Sequence, residues 1–220
     1  MSKILATGLL AVALASASTI TFSNTTSISI PTTGAATPYP SNISVAGFTG
    51  TISGLTVSLL GLNHTFPEDV GMLLVGPSGA KMVILDGVIG GTPWVNINYT
   101  LDDAAAAFIP KPGTPASGTF KPTDYFTGDV FAAPAPAGPN AEPAPAGSAT
   151  FISTFGGTNP NGTWSLYVYD FAAGDSGNIA GGWSITITDS IASVPEPSTA
   201  LLFGIGGIAV ILSARRRVAR

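Results

Sequence analysis

Apolar and polar residues alternate along several short stretches of this chain. In each stretch every second residue is apolar, and the residues between are mostly Ser, Thr, Asn or Tyr. Because successive side chains of a β-strand point to opposite faces, this alternation predicts strands with one face in a core. The apolar positions are Leu55, Val57 and Leu59; Val95, Ile97, Tyr99 and Leu101; Trp164, Leu166 and Val168; and Trp183, Ile185 and Ile187.

Two runs, residues 72–75 and 82–85, are apolar at every position. Continuous apolar runs of this length are typical of strands that are buried on both faces. The sequence Gly-Pro-Ser-Gly at residues 76–79 separates them and favours a tight turn. Residues 70–85 are therefore predicted to form a β-hairpin.

Glycine and proline are too frequent for a helical protein, with 27 Gly and 18 Pro among 220 residues. The one helical candidate in the middle of the chain is the Ala-rich stretch 102–109. The strands and turns together predict an all-β fold, a jelly-roll β-sandwich extending over residues 18–190.

Residues 132–147 read AAPAPAGPNAEPAPAG and carry a single charge. This Pro/Ala-rich loop has the composition of an exposed, partly polyproline II segment. Two interpretations stay open. The loop either binds a partner or acts as a spacer, or it is a tolerated surface insertion.

The first 17 residues have the organisation of a signal peptide. Lys3 supplies the charge, residues 4–14 are apolar, and Ala15-Ser16-Ala17 matches an A-x-A cleavage site. The apolar segment is too short to span a membrane. We therefore expect export and cleavage after Ala17.

Residues 191–220 combine a Pro-Glu-Pro triplet at 195–197, an apolar helix at 199–213 and a basic tail at 215–220. The arginines place the C-terminus in the cytoplasm while the short transmembrane helix is in the membrane. Two interpretations of this tail are a sorting signal that is processed during export and, more simply, an ordinary C-terminal membrane anchor. The residues expected to act in sorting and processing are Val194, Pro195, Glu196, Pro197, Arg215, Arg216 and Arg217.

This tripartite tail resembles the PEP-CTERM signal of Gram-negative bacteria, which is handled by the membrane protease-transpeptidase exosortase. The resemblance implies an exported protein that is first anchored in the inner membrane. It would then reach the cell surface, the outer envelope or the extracellular matrix. Exosortase is the implied partner.

Between the two signals the chain is acidic, with three lysines against eleven acidic residues, a formal net charge of −8. Such a surface argues against nucleic acid and against docking on anionic lipid. The absence of cysteine excludes zinc–thiolate, iron–sulfur and cysteine-nucleophile chemistry, and a single histidine excludes a multi-histidine metal centre.

Several blocks of sequence carry a further resemblance. They are Leu55-x-Val57-x-Leu59, His64-Thr65, residues 72–79, residues 161–170, Gly174-Asp175-x-Gly177 and residues 182–187. Together they resemble the proprotein convertase P domain (P/Homo B), a jelly-roll β-sandwich. The resemblance implies this fold and a binding or stabilising role, but not peptidase activity, because P domains usually follow a subtilisin-like catalytic domain and this sequence has none. Its fold-motif residues are Gly162, Trp164, Gly177 and Trp183.

His64, Asp102 and Ser176 occur in the chain order of a trypsin-like triad, and Ser176 lies in a Gly-Asp-Ser-Gly sequence. Asn178 follows where trypsin-like enzymes have Gly, and a turn of the P-domain kind explains the same residues. The prediction is that the protein is not an enzyme. The alternative is an accessory or catalytic module of a secreted serine peptidase, acting in trans or through a Ser176/His64 site.

Glu68, Asp69, Asp170 and Asp175 would converge if loops at one end of the sandwich meet, and carboxylates on loops suit Ca²⁺. The simpler interpretation is that they are turn residues and solubilising charge. The function predicted is therefore a non-enzymatic, exported surface or biofilm-matrix protein, with an exopolysaccharide or an envelope glycan or protein as its partner and Ca²⁺ as its one candidate cofactor.

Overall fold

A computed structural model describes residues 17–190. Regular structure in this range is mostly β-strand, with one helix, α1 (Phe151–Phe155), and a single 3-10 turn (Pro67–Asp69), so the all-β prediction is confirmed. None of the described helices is long and apolar enough to cross a membrane. The strands are β1 (Thr19–Asn24), β2 (Ile28–Ile30), β3 (Gly34–Ala35), β4 (Ser41–Val45), β5 (Thr51–His64), β6 (Val70–Val75), β7 (Lys81–Asp86), β8 (Trp94–Asp102), β9 (Gly118–Phe120), β10 (Thr123–Asp124), β11 (Gly162–Asp170), β12 (Gly177–Ile179) and β13 (Trp183–Ser190).

Several predicted features lie outside the described residues. They are the signal peptide up to residue 16, including Ala15, and the whole sorting segment. Within that segment fall Val194, the Pro-Glu-Pro triplet 195–197, the apolar stretch 199–213 and the basic tail 215–220.

The first sheet is built around β5, which is 14 residues long. One edge of β5 pairs with β13 and then β12, and the opposite edge pairs with β8, all antiparallel. β1 extends the sheet beyond β13, β2 extends it beyond β12, and β9 joins β8 in parallel.

The second sheet has the strand order β10-β7-β6-β11-β3, and β4 pairs with a further part of β11. β6 and β7 form an antiparallel hairpin, which confirms the prediction for residues 70–85. β10 lies along β7 in parallel register, with Asp124 opposite Asp86. This short parallel pairing brings together two acidic residues that are far apart in sequence.

The two sheets share one hydrophobic core. The predicted inward positions of β5, β11 and β13 are all buried, which confirms the alternation there. Trp164 and Trp183 are fully buried and belong to opposite sheets. Burial of each large apolar side chain contributes about 1.5–3 kcal/mol, so the core is the main source of stability.

The alternation predicted for β8 is correct only in its second half. Tyr99 and Leu101 are buried as expected, but Val95 is 72% exposed and Trp94 is buried instead. Asn96 has a positive φ of 54°, and the β5–β8 register shifts on both sides of Leu62. A bulge therefore reverses which residues face the core.

The helical candidate at residues 102–109 forms a short turn and not a helix. Asp102 Oδ1 instead accepts a hydrogen bond from the backbone N–H of Ala104, 2.8 Å away, which makes a turn. The α-helix forms at Phe151–Phe155, where Thr150 and Ser153 form a reciprocal capping box. Two buried phenylalanines fix it to the core, a tertiary contact that local sequence does not reveal.

The Pro/Ala-rich loop is packed against the second sheet. Val83 donates its backbone N–H to the carbonyl oxygen of Ala141, 2.9 Å away. Ala135 and the preceding Phe131 form a second hydrophobic cluster with Leu73 and with further side chains on the outer face of this sheet. Apart from the half-buried Val75, the apolar runs predicted to be buried on both faces are buried in this way.

Candidate functional site

A buried histidine–aspartate pair lies where β5 ends. His64 Nε2 is 3.3 Å from Asp170 Oδ2, and neither side chain is exposed. His64 Nδ1 lies 3.0 Å from the carbonyl oxygen of Phe66 and 3.2 Å from its backbone nitrogen. Both ring nitrogens therefore face protein atoms, and the imidazole has no open face for a substrate.

Of the four acids predicted to bind Ca²⁺, Asp170 belongs to this pair, and Asp69 and Asp175 lie near it. Burial, reinforced by repulsion from Asp170 and Asp175, raises the pKa of Asp69. Burial also raises the pKa of Asp170, although its Oδ1 accepts a hydrogen bond from Ala172. Glu68 is directed elsewhere, with Oε1 2.9 Å from Lys111 Nζ. The calcium assignment to these four residues stays a prediction.

The structure separates Asp102 from His64, two members of the trypsin-like order. Asp102 lies opposite Thr56 on β5, whereas His64 is at the far end of the same strand. Eight residues of strand correspond to roughly 26 Å. Ser176 is exposed and follows Asp175 in the loop before β12, where its backbone N–H is 3.4 Å from Thr65 Oγ1.

A different acidic triad is compact. One carboxylate oxygen from each of Asp86, Asp124 and Asp129 lies within 4.8 Å of the other two. Asp86 ends β7 and Asp124 ends β10, and their parallel pairing sets the two side by side. Asp129 comes from the loop that follows β10. Among the described residues this is the acidic group with the spacing of metal ligands.

Two of the three aspartates are buried and Asp129 is half-buried, and none of them forms a salt bridge within the described part of the chain. Asp86 is 1% exposed and Asp124 is 0% exposed. Burial, with repulsion from Asp129 and Asp124, raises the pKa of Asp86 to about 8. Burial also raises the pKa of Asp124 to about 7 and raises the pKa of Asp129. Three ionised carboxylates would be unstable here without a cation.

Backbone atoms border two members of the triad. A Cβ on Gly71 of the neighbouring β6 would lie only 2.9 Å from Asp86 Oδ1, so glycine is needed there. Asp124 Oδ1 accepts the backbone N–H of Phe126, 2.9 Å away. Oδ2 of each of the three aspartates is buried and has no hydrogen-bond partner among residues 17–190.

The four fold-motif residues occupy defined places. Trp164 Nε1 donates to the carbonyl oxygen of Pro160, 3.0 Å away. Gly162 has a φ of 131°, and a side chain there would strike Pro77. Gly177 opens β12 so close to Asn63 that a Cβ cannot fit, and Trp183 opens β13.

The sequence offered a weak signal for the triad. Asp86 ends an apolar run, which is an unusual place for an acid, but Asp124 and Asp129 stand alone in a Pro- and Gly-rich region. The pairing of β7 with β10 sets Asp124 beside Asp86.

Comparison with solved structures gives a partial structural likeness. A chain in the crystal structure of Aeromonas sobria serine protease (ASP) with the chaperone (ORF2) aligns at 15% identity and a TM-score of 0.42. The alignment covers 81% of this chain and 28% of that one, so this chain spans less than a third of its length. No curated protein matches.

The C-terminal segment does match a described motif. Residues 193–217 match the PEP-CTERM protein-sorting motif. The match includes the Pro-Glu-Pro triplet and the arginines predicted to act in sorting. The chain thus carries a PEP-CTERM signal, the kind that exosortase recognises, which supports an exported, exosortase-sorted protein.

Proposed function

We propose that this protein is a non-enzymatic component of the cell surface or biofilm matrix, delivered by exosortase. Its two-sheet domain would be a P-domain-like jelly roll that binds an envelope or matrix partner such as exopolysaccharide. The observation that carries the proposal is the PEP-CTERM motif at residues 193–217, which follows directly after an all-β domain.

The geometry around His64 supports a non-enzymatic role. A serine nucleophile needs an accessible base within hydrogen-bonding reach. The imidazole of His64 is fully buried and faces Asp170, whereas Ser176 is exposed. An active-site fluorophosphonate should leave the full chain unlabelled. Labelling that disappears in Ser176→Ala would establish the peptidase alternative instead.

The sorting step is tested with Glu196→Ala in cells that contain exosortase. We expect the full-length variant to accumulate in the membrane fraction, while the unmodified protein is processed and leaves it. Glu142→Ala is a matched control, because Glu142, like Glu196, is directly followed by proline but lies outside the sorting segment. Normal processing of Glu196→Ala would contradict exosortase sorting.

Binding is tested separately on the full chain in mild detergent. A glycan array that includes exopolysaccharide fragments, read with and without Ca²⁺, should show selective retention of acid-poor or neutral glycans. Such ligands avoid repulsion by the acidic domain. Absence of any retained glycan, together with normal sorting, would remove the glycan partner and leave the sorting proposal intact.

A further inference from the structure

Three carboxylates, two of them from buried residues, meet at one edge of the second sheet. Oxygens of Asp86, Asp124 and Asp129 lie within 4.8 Å of one another. Acidic residues commonly cluster on exposed surfaces, but Asp86 and Asp124 are at least 99% buried. Their Oδ2 atoms have no hydrogen-bond partner in the described part of the chain. Buried polar atoms are normally paired, so these oxygens indicate a missing ligand.

The nearby charges do not neutralise the triad. Lys111 is the basic residue that acts on Asp86. Its ammonium group is 2.9 Å from Glu68 Oε1 and 3.7 Å from the centre of the Phe126 ring. Glu142 adds further negative charge beside Asp129. A bound cation would supply the compensation that the protein itself does not.

We propose that Asp86, Asp124 and Asp129 bind one calcium ion. The donors are all oxygen and include no histidine or cysteine, which suits a hard cation and not zinc. Asn140 offers a further oxygen, because its amide nitrogen donates to the backbone of Asp129 while its Oδ1 is buried without a partner. Backbone carbonyls and water complete the six to eight ligands of Ca²⁺.

This site is distinct from the four acids that the sequence singled out. Ca²⁺ is favoured over Mg²⁺ because two of the three carboxylates come from strand ends and the third from an irregular loop. Mg²⁺ demands near-ideal octahedral geometry, whereas Ca²⁺ tolerates irregular ligand sets.

The ion would link β7, β10 and the segment that leads into the Pro/Ala-rich loop. β10 has only two residues, and the Pro/Ala-rich loop bonds to it through Ala146 N–H and Asp124 O, 2.9 Å apart. Asp129 lies just before the same loop. Bound calcium would therefore fix the loop against β7 and β10 and act as a structural clip.

Binding is measured by equilibrium dialysis of EDTA-stripped full chain in mild detergent against radioactive Ca²⁺. One ion per chain is expected, with a dissociation constant no weaker than the millimolar range of extracellular calcium modules. Asp129→Asn removes one carboxylate from a half-buried loop position and should weaken binding at least about tenfold. Asp175→Asn is the matched control from the other acidic group and should bind normally.

Thermal unfolding separates a metal site from three carboxyl groups that are simply protonated. In Ca²⁺, Asp86→Asn/Asp124→Asn should melt below the unmodified chain. In EDTA the order should reverse, because the amides remove buried repulsion without changing shape. Ca²⁺ should raise the melting temperature of the unmodified chain and leave that of the double variant unchanged.

Three results would overturn the proposal. The first is that the unmodified chain does not bind Ca²⁺ at millimolar concentration. The second is that Asp129→Asn and the double variant both bind Ca²⁺ as well as the unmodified chain does. The third is that Asp175→Asn loses binding while Asp129→Asn keeps it. Equal or tighter binding of Mg²⁺ would overturn the choice of calcium. If the double variant fails to fold, Asp129→Asn alone decides.

Discussion

The indole nitrogen of Trp183 donates a hydrogen bond to Ser41 Oγ, 3.0 Å away, inside the core. Trp183 belongs to β13 of the first sheet and Ser41 to β4 of the second. This one bond therefore links the two sheets across 142 residues of sequence. It also satisfies the polar atom of a tryptophan that is completely buried.

Removal of the Ser41 hydroxyl tests how much this hydrogen bond contributes to the free energy of unfolding. Ser41→Ala leaves the Trp183 N–H buried without a partner, which should lower the free energy of unfolding by about 1–3 kcal/mol. Urea unfolding of the full chain measures the change. Ser44→Ala is the control, since Ser44 is on the same strand but exposed. Equal effects of the two changes would contradict a specific role for the bond.

Asp189 should make stability depend on pH. Its Oδ1 accepts the backbone N–H of Ser18 at 2.7 Å and its Oδ2 accepts that of Gly50 at 3.0 Å. The Ser18 bond, with that of Gly50, holds the pKa of Asp189 below its ordinary value. A carboxylate whose pKa is lowered by folding stabilises the protein at pH values above its pKa in the unfolded state. This stabilisation is lost as the pH falls through its pKa in the folded state.

The matching experiment compares melting temperatures of the unmodified chain and Asp189→Asn. The variant should have a lower melting temperature than the unmodified chain at neutral pH. The gap between the two melting temperatures should shrink below about pH 4, the ordinary Asp pKa. Ser18→Ala keeps the N–H bond and loses only the hydroxyl bond to Asp189, so its effect should be smaller. A gap that is unchanged at about pH 3 would refute the assignment.

The α1 helix depends on a distant aspartate. The two carboxylate oxygens of Asp103 accept the backbone N–H groups of Phe151 and Ile152, each at 2.9 Å. Asp103→Ala should cost about 0.5–2 kcal/mol, the range of other helix N-caps. Asp102→Ala, which removes only the local turn bond to Ala104, is a neighbouring control. Chemical denaturation followed by tryptophan fluorescence measures both.

The Pro/Ala-rich loop should be held mainly by Phe131. This side chain is 5% exposed and packs beneath the loop, whereas the adjacent Val130 is 80% exposed. Phe131→Ala should cost about 3 kcal/mol and speed hydrogen exchange at the Val83 amide, which bonds to Ala141. Val130→Ala should change neither quantity. Fast exchange at Val83 in the unmodified chain would contradict the packed loop.

The strands with strict alternation were predictable from sequence. In β13 burial follows the period of two without interruption, and in β11 it does so except at Tyr167, which the second cluster covers on the outer face, so Trp164 and Trp183 face the core as expected. β8 differs because Asn96 adopts a positive φ, which shifts the period by one residue. A bulge of this kind depends on the partner strand and has no clear mark in a single sequence.

The acidic triad was not predictable for a related reason. Asp86 and Asp124 are 38 residues apart and meet only because β10 pairs in parallel with β7. Parallel pairing of a two-residue strand leaves no pattern in the sequence. The packing of the Pro/Ala-rich loop on the second sheet was also not predictable. The alanine- and proline-rich composition of the loop indicated exposure, whereas Phe131, just before the loop, supplies the buried side chain that anchors it.

β13 is the strand from which the sorting segment continues, and it is hydrogen-bonded along both edges, to β1 and to β5. Any mechanical load applied through residue 190 therefore acts on two ladders at once. Bonds that share a load fail together and at higher force than bonds that open singly. The domain is thus joined to its sorting segment through a strand that resists extraction.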